Sequence, residues 1–107
     1  MKTKEEYFAE FDQQTKTHSI LLYAKGTKEF PRCGFSAQTI EILKSYAKPF
    51  EVIDVLSDLI RKEYLKEYSD WPTIPQLYIK SELVGGFDIT LELHKSGQLK
   101  ELIDSAV

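Results

Sequence analysis

The sequence predicts an α/β fold: a four-stranded mixed sheet sandwiched by helices. Three observations lead there. Short continuous apolar runs alternate with longer segments whose apolar residues recur every three to four positions. A helical segment separates the first two apolar runs, so those strands are expected to be parallel, joined by a right-handed crossover. The last two strand-like runs are nearly contiguous and read as a hairpin, which adds antiparallel pairing.

Residues 3–15 read as an amphipathic helix with Tyr7, Phe8 and Phe11 as its apolar stripe. Residues 19–24 form an apolar run of strand length, the pattern of a strand buried on both faces. Residues 25–32 are punctuated by Gly26 and Pro31 and read as a loop. A helix is expected to start at or just after Cys33, with Ile40, Leu43 and Tyr46 at its period, and Pro49 stops it. Residues 50–55 are the second strand. Ser57 is positioned to cap a third helix with Ile60, Tyr64 and Tyr68 on one face. Residues 71–75 carry two prolines and read as a rigid loop. Residues 76–80 and 82–84 are two strands meeting at Lys80-Ser81, a turn with neither Gly nor Asn to favour positive φ. Gly85-Gly86 ends the sheet, Asp88 is available to cap a fourth helix through His94, and Ser96-Gly97 separates it from a last helix carrying Leu99, Leu102 and Ile103.

At 107 residues, the chain reads as one domain over 1–107. It is 42% hydrophobic and 29% charged, the composition of a chain with a packed core. A net charge of −3 with both signs interspersed gives no footprint for nucleic acid, and no run is long enough to span a membrane. The single cysteine excludes an internal disulfide and points to a reducing compartment. The expectation is a cytoplasmic protein, or one of the mitochondrial matrix or plastid if a transit peptide has been removed.

Cys33 is the first residue with chemistry. At a helix start its sulfur faces unpaired backbone N–H groups and the positive end of the helix dipole, both of which favour thiolate. Arg32 and Lys25 are expected to add positive charge, and Gly34 leaves room for another group to approach the sulfur. A buried core cysteine is the alternative, but Pro31, Arg32 and Gly34 are loop residues. The position where a second thiol would complete a Cys-x-x-Cys pair is Ser36, so the chain cannot resolve its own mixed disulfide. One thiolate also cannot complete an iron–sulfur site. The chemistry therefore points outward, to a small thiol, a second protomer, or both.

Ile74-Pro75 suits a cis bond that would present the Ile74 backbone to an extended peptide ligand. A rigid loop with no ligand remains equally open. Asp88 is suited to holding an ammonium group or to capping its helix. Lys25 and Lys62 are candidate partners for a carboxylate. His18 and His94 stand apart and read as surface or cap residues.

Lys25-Gly26, Cys33-Gly34-Phe35-Ser36, the run from Trp71 to Tyr78 and Gly85-Gly86-x-Asp88 together resemble the monothiol glutaredoxins, over nearly the whole chain. The resemblance implies a thioredoxin-like fold and a glutathione groove. In it, the residues matching Lys25 and Lys62 take the glycine carboxylate, Ile74 beside Pro75 pairs with the cysteinyl backbone, and Gly86, Phe87 and Asp88 hold the γ-glutamyl end. Phe35 and Thr73 of the same motifs join that cofactor-binding set, and Cys33 is the implied metal ligand. Members bind a [2Fe–2S] cluster between two protomers and two glutathiones, and partner with BolA-like proteins and iron–sulfur acceptor proteins. Two residues depart from the family pattern. Lys62 stands where an arginine is usual, and loses its bidentate fork. Phe87 stands where many members carry Cys or Ser, and is expected to narrow the γ-glutamyl end. The resulting expectation is iron–sulfur cluster carriage and transfer, with a role in iron homeostasis. The alternative is a glutathione-dependent reductase of protein–glutathione mixed disulfides with Cys33 as nucleophile, and a redox-inert interaction module is the third reading.

Overall fold

A computed structural model describes residues 1–107. In chain order the elements are α1 (Lys4–Thr17), β1 (Ile20–Ala24), α2 (Gly34–Lys44), β2 (Glu51–Asp54), a 3-10 turn (Val55–Ser57), α3 (Leu59–Ser69), β3 (Gln76–Ile79), β4 (Glu82–Gly85), α4 (Phe87–Ser96) and α5 (Gln98–Ala106). The sheet order is β2-β1-β3-β4. β1 and β2 are parallel, while β1–β3 and β3–β4 are antiparallel. This is the mixed sheet that the sequence predicts.

The central position of β1 explains its unbroken apolar run. Successive side chains alternate between faces. Ile20, Leu22 and Ala24 pack with Leu77 and Ile79 against Ile40, Leu43, Leu99 and Ile103 from α2 and α5. Leu21 and Tyr23 pack on the other face with Tyr78, Tyr7, Phe11 and Leu65 from α1 and α3. Each fully buried Leu, Ile or Phe among them contributes about 1.5–3 kcal/mol of burial free energy. With both faces and both flanks occupied, β1 is fixed, and so is the place where its carboxyl end delivers Lys25.

Three local expectations need correction. Asp58 rather than Ser57 caps α3: its carboxylate accepts from the Ile60 and Arg61 N–H groups. The reason lies upstream, where the Asp54 carboxylate accepts from Leu56 N–H at 2.8 Å and starts a 3-10 turn that consumes Ser57. The buried residue of α3 is Leu65, and Ile60 lies out in solvent at 50% exposure. Asp88 caps nothing. Gly86 is the N-cap of α4, with no side-chain cap bond, and Asp88 sits in the first turn. The Lys80-Ser81 turn adopts φ values of 54° and 68°, both positive, without Gly or Asn. The Ile79–Glu82 pairing leaves only these two residues to reverse the chain, and they do so with the positive φ at both positions of a type I′ turn, whose twist matches that of the strands.

Candidate functional site

The carboxyl end of β1, the amino ends of α2 and α4, one side of α3 and the loop before β3 enclose a cleft of about 440 Å³. Cys33 and every other residue that the sequence assigns to the cofactor-binding set line it. Lys25 follows β1; Cys33 and Phe35 stand at the start of α2; Lys62 comes from α3. Thr73, Ile74 and Pro75 belong to the loop, and Gly86, Phe87 and Asp88 to the start of α4.

Cys33 is half-buried and is the N-cap of α2, with φ −144° and ψ 137°. Its side chain makes no strictly aligned cap hydrogen bond, so the nearby amide groups act on the sulfur mainly as dipoles. The Ser36 backbone N–H does most to hold the thiol below its ordinary range. Partial burial opposes it, and the Phe35 N–H, the Lys25 charge and the Ser36 hydroxyl add to the lowering. Arg32 is not among the groups that lower it, contrary to the sequence expectation. Its side chain borders a separate hollow with Asp54, Leu56 and Ser57.

Ser36 is fully buried, and its hydroxyl accepts the Lys25 backbone N–H at 3.1 Å. The loop after Lys25 folds back on itself, the Lys25 carbonyl accepting the Arg32 N–H at 2.8 Å. Gly26 makes this possible. Its φ is +97°, and a Cβ there would lie 2.5 Å from the Phe30 carbonyl oxygen. Gly26 N–H donates to the Asp54 carboxylate at 2.9 Å, tying the loop to the end of β2.

Lys25, Lys62 and Asp88 make no ion pair within the chain. The neighbour of Lys62 is different. Arg61 turns to α1, where it forms a fork to the Glu10 carboxylate at 2.9 and 3.1 Å, so it is not a cleft residue. The loop before β3 is held from below by buried Gln76, whose amide donates to the Trp71 and Thr73 carbonyls at 3.1 and 3.3 Å. The Ile74–Pro75 bond is cis. The Ile74 N–H and C=O enter none of the backbone hydrogen bonds outside helices and strands. Gly86 lies under the loop. A Cβ there would come within 3.4 Å of the Trp71 indole nitrogen and of the Pro75 carbonyl oxygen. The Phe35 and Phe87 rings pair across the cleft, centroids 5.3 Å apart and planes at 33°.

Sequence reasoning missed three participants. Lys66 lines the cleft. It lies one turn beyond Lys62 on the same face of α3, a spacing that could have marked it. Ser36 reads in sequence only as an absent second thiol, and its bond to Lys25 has no local signal. Trp71 belongs to a recognised motif, but nothing in sequence shows its indole N–H buried without an acceptor.

A family model described as Glutaredoxin matches residues 20–84. A chloroplastic monothiol glutaredoxin of Oryza sativa subsp. japonica is 48% identical over 99 residues. The match spans 92% of this chain and 59% of the rice protein, so the chain covers little more than half of that relative's length. An uncharacterised monothiol glutaredoxin of Synechocystis sp. is 44% identical over 99 residues, 92% of each chain. Among solved structures, reduced poplar apo glutaredoxin matches with a TM-score of 0.81 at 48% identity, over 92% of this chain and 90% of that one. A buckwheat glutaredoxin–glutathione complex gives a TM-score of 0.85 at 15% identity, over 96% and 92%, a likeness of fold alone. With a single thiol opening α2, a serine where a second would stand, and relatives of this kind over most of its length, the chain belongs to the glutaredoxin family as a monothiol member.

Proposed function

We propose that this cleft binds glutathione, and that two copies of the chain with two glutathiones carry a [2Fe–2S] cluster to recipient proteins. The observation that carries the reading is the pairing of one activated thiol with unpaired charges of both signs. Glutathione has a carboxylate for Lys25 and Lys62, an ammonium for Asp88, and a peptide backbone for the unengaged Ile74 groups. Its sulfur would then lie beside Cys33.

The cluster is cargo, and the donor set decides how it is held. Nowhere do three or more His, Cys, Asp or Glu side chains gather to hold a metal. A four-ligand cluster therefore needs Cys33 from two chains and thiolates from two glutathiones. Dimerisation follows cluster loading by mass action, and the apo chain is a monomer. BolA-like proteins and iron–sulfur acceptors are the partners this reading assigns. The compartment is one in which glutathione keeps thiols reduced: cytoplasm, mitochondrial matrix or plastid.

Anaerobic reconstitution with iron, sulfide and glutathione, followed by sedimentation and visible absorbance on one sample, tests this. The expected result is a coloured dimer that is lost with Cys33→Ser and with glutathione omitted. A coloured monomer, or colour that survives Cys33→Ser, overturns it. The second reading, reduction of protein–glutathione mixed disulfides, is favoured by the lowered thiol itself. There the Cys33 thiolate attacks the glutathione sulfur and free glutathione completes the cycle.

A further inference from the structure

We infer that the Phe35–Phe87 ring pair is a recognition platform for an aromatic group joined to the glutathione sulfur, so that the chain favours glutathione mixed disulfides whose other half is aromatic. The inference rests on the second reading above, exchange at Cys33 with glutathione mixed disulfides, and names the substrate class for it.

The pair lies outside both hydrophobic clusters of the fold. The other aromatic pairs built on the sheet, Phe11–Tyr23 and Tyr23–Tyr78, are buried and belong to the core. Phe35 is 57% exposed although it stands two residues from the reactive sulfur. The centroid separation of 5.3 Å is that of an attractive aromatic pair, and it leaves ring surface facing the cleft. Such surface gains free energy when an apolar group covers it.

Glutathione does not supply that group. Its ends are charged and its middle is peptide, and these match Lys25, Lys62, Asp88 and the Ile74 backbone. Even with the Phe87 backbone placed at the γ-glutamyl end, the ring faces of Phe35 and Phe87 have no apolar partner in the tripeptide. The remaining moiety that reaches these faces is whatever shares a disulfide with the glutathione sulfur beside Cys33.

The exchange step is balanced without any outside oxidant. The Cys33 thiolate attacks the glutathione sulfur of a disulfide RS–SG. The bond between the two substrate sulfurs breaks, a bond from Cys33 to the glutathione sulfur forms, and RS⁻ leaves and takes a proton from water. A second glutathione thiolate then releases Cys33 as thiolate and forms glutathione disulfide. The departing R group is the part that touches the rings, so its contact with them alters the rate of the first step.

The test mixes the reduced chain with glutathionyl-2-phenylethanethiol or with glutathionyl-2-mercaptoethanol. Both leaving thiols are primary alkyl thiols. The Cys33–glutathione adduct is followed by rapid quench and mass spectrometry. Trp71, the only tryptophan and a cleft residue, gives a parallel fluorescence signal. The phenylethyl substrate is expected to react faster by about three- to tenfold, the effect of one aromatic contact. Phe87→Ser should bring the ratio close to one, and Phe87→Leu should leave it intermediate, each variant first checked for a cooperative thermal transition. Equal rates for the two substrates, or a ratio unchanged in both variants, overturns the inference while leaving glutathione binding intact. If neither substrate forms the adduct, the mixed-disulfide reading falls and takes the inference with it, while calorimetric titration with glutathione tests the cleft reading separately.

Discussion

The buried Ser36 hydroxyl accepts the backbone N–H of Lys25 at 3.1 Å and so pins the first turn of α2 to the end of β1. This bond sets the Cys33 thiol and the Lys25 backbone in one fixed relation, because Cys33 opens the helix that Ser36 anchors. The serine is thus a structural element of the site as well as the reason the chain is monothiol.

Ser36→Ala should leave the Lys25 N–H buried without an acceptor, at a cost of about 1–3 kcal/mol in denaturant unfolding. It should also slow alkylation of Cys33 near neutral pH by moving the titration midpoint up. In the parent chain that midpoint lies below that of a free cysteine, since the Ser36 N–H and its neighbours favour thiolate. The thiolate's contribution to stability is fully present above the ordinary thiol range and is lost as pH falls through the lowered folded value. A midpoint at or above that of a free thiol would contradict this account.

Lys25→Ala should weaken glutathione binding about tenfold or more, as expected for loss of a charge-assisted hydrogen bond, and Lys62→Ala should weaken it less. The Lys25 backbone is fixed by two hydrogen bonds, whereas Lys62 reaches in from a helix face. Calorimetric titration decides between them, and equal or reversed losses would count against the assignment.

Gly26→Ala should cost about 1–3 kcal/mol or more, because it combines positive φ with a clash against the Phe30 carbonyl. Gly34→Ala should leave stability within about 1 kcal/mol of the parent, since a Cβ there meets nothing within 4 Å. Thermal unfolding of the two variants side by side is the check.

Arg61→Ala should destabilise the α1–α3 contact by about 1–3 kcal/mol. Partial burial pushes the Glu10 carboxyl up, but the Arg61 fork and Lys2 overcome this and hold it below the ordinary carboxylate range. The stabilisation from this group is therefore present above pH of about 4.5 and is lost on acidification below it. Acid titration by circular dichroism should show the variant unfolding at higher pH than the parent.

The amino-acid sequence by itself determined the order of elements, the burial of β1 on both faces and most of the residues that gather at the cleft. The physical reason is that burial on both faces and helix-start chemistry are written locally, in the run from Ile20 to Ala24 and in Cys33 followed by Gly34. The boundary errors had local causes as well, since one bond from Asp54 to the Leu56 N–H was enough to move the α3 cap from Ser57 to Asp58. What only the tertiary structure decided is which side chains meet. Phe35 and Phe87 are 52 positions apart in sequence and stack because α2 and α4 both begin at the cleft. Arg61 and Lys62 are adjacent, yet Glu10 on α1 takes the first and leaves the second facing the site. Arg32 stands next to Cys33 in the chain and faces another hollow, because the backbone turns between them. Such directions depend on the packing of elements distant in sequence, and no local pattern of residues encodes them.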